Sequence, residues 1–474
     1  MTRMVAQVDV AVIFKYAGRH ALKRNPWVLR QASDLMSRES ALPAEHRARQ
    51  ELLLERVFHD ARHIPAYARH VAKASDHHRL ESLRDAFPII DKTTLLQHRN
   101  DFFAGGRVPK YRSTVAATSG TTGTPLDVYR SFSSILWEEA FHLQHWQWAG
   151  WSRGQRQAVL RGEIVIPVDQ RGPPYWFKDT VGGQLVLSTR HLDRQSAPLF
   201  AEALQRFGAT QLRAYPSAAY ELATLVAETG IPVRFQSVIT GSEMLYDFQR
   251  QRIESVFKAR VFDFYSMAER VAYASQCERG RMHVNPEYGV LEIVDDQGRP
   301  TDEGTIVGTS LHNTVAPLIR YRMNDTARWS HEPCPCGRTY PVIENLGGRL
   351  ADQLYDLDGR AVNGTVIGFA FDGMRHIQKA QVVQPAADRW LIRIVPGVGY
   401  TADDGQRVLD KLAAEVSARV AARIELVDAI PALPSGKYKW VVREYRGDAP
   451  APEGPGITPR PPTRVAGAGA GASC

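Results

Sequence analysis

Between about residue 110 and residue 345 the chain alternates short β-rich runs with helical stretches, and this alternation limits its fold more than any other feature. Ala158–Leu160, Val238–Thr240 and Val261–Phe264 are apolar runs of strand length. Pro198–Phe207 and Ala218–Thr229 carry apolar residues at helical spacing. Parallel strands need a crossover, usually a helix, so this order predicts α/β units around a largely parallel sheet. Asp296-Gln297-Gly298 lies between Leu291–Val294 and Ile306–Val307 and reads as a turn joining two strands.

The flanks differ from this middle. The first hundred residues are charged and helical, with Leu52, Leu53, Val57 and Phe58 assigned to one helix face before Pro65 breaks the pattern. Past residue 352, Ala380–Val383 and Trp390–Val395 suggest a hairpin. Ala402–Val420 places Val408, Leu412, Val416 and Val420 at helical spacing, and Arg423–Leu426 is extended. These form a small α+β module of about 90 residues. From Gly447 the chain turns rich in Pro, Gly and Ala, so a disordered tail is expected, with no structural role for Cys474.

A length of 474 residues allows about three domains. The net charge of +8, from 59 basic and 51 acidic residues, suits anionic small molecules. No dense Lys/Arg block interleaved with aromatics occurs, which argues against nucleic acid. Val5 to Phe14 is interrupted by Gln7 and Asp9 and does not make a secretory signal. No run approaches the roughly 20 apolar residues of a membrane span, so a soluble, cytoplasmic protein is expected.

The sharpest local signal is Thr118-Ser119-Gly120-Thr121-Thr122-Gly123-Thr124-Pro125. Gly120 and Gly123 let the backbone bring amide N–H groups close to an anion, and the hydroxyls add donors. The Gly-Lys-Ser/Thr ending of a P-loop is missing, which disfavours that class of nucleotide hydrolase. The loop resembles the phosphate loop of the adenylate-forming superfamily. Four further segments follow in that superfamily's order: Tyr265-Ser266-Met267-Ala268-Glu269, Tyr321-Arg322-Met323-Asn324-Asp325, Gly348-Arg349-Leu350-Ala351-Asp352 and Pro434-Ser435-Gly436-Lys437. Within it the likeness is greatest to phenylacetate–CoA ligases and capsular-polysaccharide-type homologues, through Phe87-Pro88, Asp91-Lys92 and Cys334-Pro335-Cys336-Gly337-Arg338. The resemblance covers roughly residues 50 to 445.

The resemblance implies an α/β fold, with a large multi-layer N-terminal adenylation domain and a small mobile α+β C-terminal domain. It divides the chain into a helical part at 1–100, a nucleotide- and acyl-binding core at 101–349, a cap at 350–446 and the tail at 447–474. It implies that Ser119, Gly120, Thr121, Thr122, Gly123 and Thr124 hold ATP phosphates. Glu269 then helps hold Mg2+, Tyr265 and Ser266 lie at adenine, Asp325 binds the ribose hydroxyls, and Arg349 bonds nearby. Lys437 is the adenylation lysine, a mobile point charge suited to a developing phosphate anion. Gly241-Ser242-Glu243 lines the adenine pocket or is an ordinary strand-to-helix turn, and Tyr215-Pro216-Ser217 lies near the acyl pocket. Leu126 stands where a lysine is common, Ser266 and Asn324 replace glycines, and Ala351 replaces an aspartate.

The expected reaction is activation of a carboxylic acid, aryl or arylacetic by likeness, followed by transfer to CoA. The alternatives are transfer to an amine or a carrier-protein thiol, or a nucleotide-binding homologue of weakened activity. No carrier domain follows residue 445, so a carrier is expected to be a separate chain. Cys277, His283, Cys334 and Cys336 form a Cys3His set that reads as structural Zn2+, with His331 as a substitute ligand. The other reading of the set is three unliganded thiols and a hydrogen-bonded histidine.

Overall fold

The computed structural model describes residues 10–74, 79–106, 113–117, 126–347, 354–356, 361–362, 364–416, 421–433 and 437–444. A twelve-stranded sheet organises the large domain. Gln184–Leu187, Gln157–Leu160, Gln211–Ala214, Ser237–Gly241 and Arg260–Ser266 run parallel, in that spatial order. The helices between them stop where their sequences dictate. Ala197–Phe207 ends at Gly208 and Pro216–Thr229 at Gly230, both left-handed, and each helix has a proline in its first turn.

These strands are covered on both faces, and the pleat assigns each residue to a side. Val238 and Val261 face the core of helices Ala197–Phe207, Pro216–Thr229 and Asp247–Phe257. Ile239, Phe262 and Phe264 face the opposite core, built by helices Pro26–Arg38 and Phe132–Trp148.

Parallel order stops at Arg260–Ser266. Its other neighbour, Tyr273–Gln276, is antiparallel, as are Met282–Val284, Val342–Gly347, Tyr321–Ser330, Glu303–Ser310 and Gly289–Val294 beyond it. The expectation of a largely parallel sheet is therefore corrected. The chain past residue 266 has no described crossover helix before the small domain, and short reversals can only join antiparallel neighbours. The turn at Asp296-Gln297-Gly298 is such a reversal, with Gly298 at φ 78° and the Asp295 carboxylate accepting from the Gln297 and Arg299 amides.

The helix Pro43–Ala61 buries Leu54, Val57, Phe58 and Ala61 against this antiparallel half. Leu52 is 61% exposed, so the predicted face is corrected by a rotation. Leu54, Val57, Phe58 and Ala61 follow the i, i+3, i+4, i+7 stripe, which Leu52 does not share. Arg320 crosses into this layer, bonding Glu292 at 3.1 Å and donating to the Phe87 carbonyl at 2.9 Å.

The small domain has the predicted hairpin, helix and strand as Ile377–Ala386, Arg389–Pro396, Ala402–Glu415 and Ala421–Leu426. The helix ends five residues before the predicted limit, Val420, which lies outside the described residues. A fourth strand, Val441–Arg443, was not foreseen; it runs parallel to Ile377–Ala386. Three residues are too few to show a period. No helix among the described residues is long and apolar enough to cross a membrane.

Leu54→Ala is expected to cost about 2–5 kcal/mol in denaturant unfolding, while Leu52→Ala stays within about 0.5 kcal/mol. Equal losses at the two positions would contradict the observed helix face.

Candidate active site

The carboxyl ends of the parallel strands converge on one rim, the usual ligand position in such sheets. Arg161, Tyr215, Ser242-Glu243 and Met267–Glu269 directly follow the strands ending at Leu160, Ala214, Gly241 and Ser266. Gly241 is obligatory here, because an added Cβ would lie 2.6 Å from the Phe264 ring. Ser242 has φ 72°, a costly left-handed conformation for a side chain, and its Oγ accepts a 3.0 Å bond from Arg161 Nη2. Behind it Thr240 Oγ1 donates to Asp263 at 2.6 Å. Burial pushes the Asp263 carboxyl up to about 6, against the Thr240 hydroxyl and Arg250.

Two distant sequence segments meet at the next strand. The Tyr265 hydroxyl donates to Asp325 Oδ2 at 2.7 Å, across 60 positions of chain. Asp325 sits at a break in the sheet register. Thr305 pairs with Thr326 and Val307 with Arg322, so Met323–Asp325 oppose a single residue, Ile306. Such a bulge re-aims a side chain, here Asp325 toward Tyr265. Beside them Arg130 Nε donates to the Ala268 carbonyl at 2.9 Å and lies in the field of Glu269. Ser266 and Glu269 are partly buried on this rim. Ser119, Gly120, Thr121, Thr122, Gly123, Thr124 and Arg349 lie outside the described residues. The strands flanking the loop, Ser113–Ala117 and Asp127–Ser131, are paired antiparallel.

Lys437 comes from the small domain. Its Nζ lies 5.8 Å from the centre of the Tyr215 ring, on the large-domain rim. The neighbouring Tyr438 amide donates to Glu243 Oε1 at 3.0 Å, while Glu243 Oε2 accepts the Ser217 amide at 3.2 Å. Glu243 thus binds protein backbone through both oxygens. Burial raises its carboxyl above the ordinary range, against these bonds and the charge of Lys437. Lys379 pairs with Glu221 at 2.7 Å, and the Tyr220 hydroxyl donates to the Ile377 carbonyl at 2.8 Å, across the same domain contact.

Cys277, His283, Cys334 and Cys336 come together, with all four ligand atoms within 4.8 Å of one another. Cys277 Sγ is 3.7 Å from Cys334 Sγ, and Cys336 Sγ is 3.4 Å from His283 Nε2. The His283 Nδ1 lies 3.1 Å from the Tyr340 carbonyl, an acceptor only; a donating Nδ1–H leaves the Nε2 lone pair facing the thiols. The Arg279 and Arg338 amides donate to Cys277 and Cys336. His331 does not join the set. It is exposed on a strand end and pairs with Asp302 at 3.2 Å, which corrects its reading as a substitute ligand.

This rim and sheet can be set beside known proteins. Residues 354–444 match the CapK C-terminal domain family. The chain is 23% identical to Protein CapK of Staphylococcus aureus over 341 residues, 69% of this chain and 74% of that one. A 2-hydroxyisobutyryl-CoA ligase in its postadenylation state, complexed with 2-HIB-AMP, has a TM-score of 0.68 at 21% identity over 86% of this chain and 91% of that one. In its thioesterification state, with 2-HIB-AMP and CoA, the same ligase has a TM-score of 0.54 at 20% identity, over 86% and 92% of the two chains. This chain shares the fold of that ligase. Its small domain is of the CapK type.

Arg161 and Arg130 were not singled out from the sequence. For Arg161 a signal existed, since it directly follows the predicted strand Ala158–Leu160 at the end where ligands bind. Arg130 offered none; only folding brings it to Ala268.

Asp263 gives a pH signature. Between its ordinary value near 4 and its folded value of about 6 the folded state holds a proton that the unfolded chain has lost, so stability falls as pH rises through that window. Asp263→Asn is expected to flatten this part of the melting-temperature profile; an unchanged slope from pH 4 to pH 6.5 would contradict the buried carboxyl.

Proposed function

We propose that this chain uses ATP and Mg2+ to convert a carboxylic acid into its acyl-adenylate and then transfers the acyl group to CoA. The approach of Lys437 to Tyr215 carries this reading, since it brings a mobile cation from one domain to the strand-end rim of the other. Attack of a carboxylate oxygen on the α-phosphorus forms the acyl–phosphate bond and expels pyrophosphate. Two anions must meet, so the site has to offset their repulsion. Lys437 supplies positive charge at that meeting point, and the amides and hydroxyls of Ser119, Gly120, Thr121, Thr122, Gly123 and Thr124 hold the departing phosphates.

Asp325, aimed by its bulge and by Tyr265, accepts bonds from the ribose diol, and Arg349 bonds beside it. Glu269, an acid on a partly buried rim, suits a hard divalent cation and would hold Mg2+, which supplies neutralisation of phosphate charge. Gly241 and Ser242 lend backbone to the adenine side, while Glu243 anchors the small domain. The acid is an aryl or arylacetic one by family resemblance, and CoA is the acceptor by the same warrant. The ligase of similar fold is complexed with an acyl-adenylate and CoA.

The Cys3His cluster fits Zn2+. A tetrahedral site with Zn–S near 2.3 Å and Zn–N near 2.0 Å has S···S and S···N edges of about 3.8 and 3.5 Å. The observed separations of 3.7 and 3.4 Å match these. All four donors are used, so the metal's part is structural: it would staple the segment after Glu269 to the segment after Asp325.

Acid-dependent exchange of labelled pyrophosphate into ATP tests the adenylation step. Lys437→Ala is expected to lower it by about 100-fold or more while sparing thioester formation from a supplied acyl-adenylate. Exchange that survives the change would remove Lys437 from its role. Metal analysis of the purified protein should find about one zinc per chain, lost in Cys334→Ser together with melting temperature. A metal-free wild type of undiminished stability would refute the zinc centre.

A further inference from the structure

Arg270 directly follows Glu269 and has no part in the reaction as derived. The strand Arg260–Ser266 runs into a tight turn, closed by the Arg270 amide donating to the Met267 carbonyl at 3.2 Å. Ala268 and Glu269 are the two central residues of that turn. Arg270 leaves it with φ 56°, in the left-handed region, which is costly for a residue with a side chain and not for glycine. A turn alone would be served better by glycine. What the arginine adds is its side chain.

That side chain is buried and reaches the helix Phe132–Trp148. Its Nη2 pairs with Glu138, and its Nη1 donates to Ser134 Oγ at 3.0 Å. Ser134 and Glu138 stand at i and i+4, on one face of the helix. Ser134 is itself fixed: its hydroxyl donates to the Ser131 carbonyl at 2.8 Å, and its amide donates to Ser131 Oγ at 3.1 Å. Ser131 ends the strand Asp127–Ser131, whose Arg130 donates to the Ala268 carbonyl at 2.9 Å. Glu269 therefore lies between two clamped neighbours. One clamp comes from the strand that follows residues 118–125, the other from the helix that continues that strand.

We propose that Arg270, held by Glu138 and Ser134, is a positioning residue: together with Arg130 it locks the turn that carries Glu269 to the strand and helix leaving the phosphate loop. That role rests on the adenylation reading, in which Glu269 holds Mg2+, and deepens it by assigning the residues that aim the acid. Mg2+ demands near-ideal octahedral geometry, so a carboxylate that shares it with phosphate oxygens tolerates little drift. Groups that orient a metal ligand without touching the metal are typically worth about 10- to 100-fold in metal affinity. A buried ion pair adds little to stability by itself, so orientation accounts for a strained arginine here better than stability does.

The test is calorimetric binding of ATP to the intact chain, with no acid present, once in excess Mg2+ and once in EDTA. The wild type is expected to bind more tightly with Mg2+, and Glu269→Gln to lose that gain. In Arg270→Gly combined with Glu138→Gln, which strands no buried charge, the gain should fall by about 10-fold or more while the affinity in EDTA holds. Arg270→Lys keeps a cation for Glu138 without the planar fork and should lie between the two; it also decides the matter where the double variant does not fold. If Glu269→Gln loses the gain and the Arg270 variants keep it, the positioning role is overturned and the reading of Glu269 stands. Equal losses in Mg2+ and in EDTA would reduce Arg270 to a structural part and overturn the role as well. If the wild type gains nothing from Mg2+, or Glu269→Gln keeps the gain, the assignment of Glu269 fails and takes the positioning role with it.

Discussion

The burial of the Glu243 carboxylate is the interaction on which the arrangement of the two domains turns. An anion withdrawn from water is costly unless its oxygens are satisfied. Here one oxygen takes the amide of Ser217 in the large domain and the other takes the amide of Tyr438 in the small one. The residue before Tyr438 is Lys437, so satisfying the carboxylate also delivers the ammonium group to Tyr215. Separation of the domains would strip Glu243 of one partner and carry the cation away. Docking and charge placement are one event. The aromatic contacts of Trp440 with Phe248 at 5.0 Å and Phe371 at 4.8 Å add apolar area to the same joint.

The sheet changes character where the proposed chemistry lies. Arg260–Ser266 is parallel to one neighbour and antiparallel to the other. On the parallel side, crossover helices cover both faces and the strands end together at a rim. On the antiparallel side, reversals are short and the strands are long enough to bulge. Tyr265 belongs to the first system and Asp325 to the second, and their hydrogen bond spans the boundary. The Cys3His cluster lies farther out in the antiparallel half, where Cys277 follows one strand, His283 lies within another and the Cys334–Cys336 segment follows a third. It would hold in register a region whose connections are too short to do so alone.

Much of this was legible in the chain. The apolar runs gave the parallel strands, because a strand buried on both faces must be apolar throughout. The helices ended at Gly208 and Gly230, where only glycine takes the left-handed turn cheaply. Ordered motifs named Tyr265, Asp325, Glu269 and Lys437. The sequence could not show which neighbours were parallel, since strand direction depends on connections and not on side-chain pattern. It misassigned Leu52 because adjacent leucines obscure the phase of a helix, which packing then settled in favour of Leu54.

Local order, then, was determined by the sequence alone: which segments are strands and where helices stop. These depend on dihedral preference, apolar period and residue chemistry within a few positions. Tertiary structure alone decided what meets across the chain: Tyr265 with Asp325, Tyr438 with Glu243, and Cys277 with Cys334. Such meetings are fixed by packing many segments at once, because a buried charge must find its partner wherever the fold can supply one.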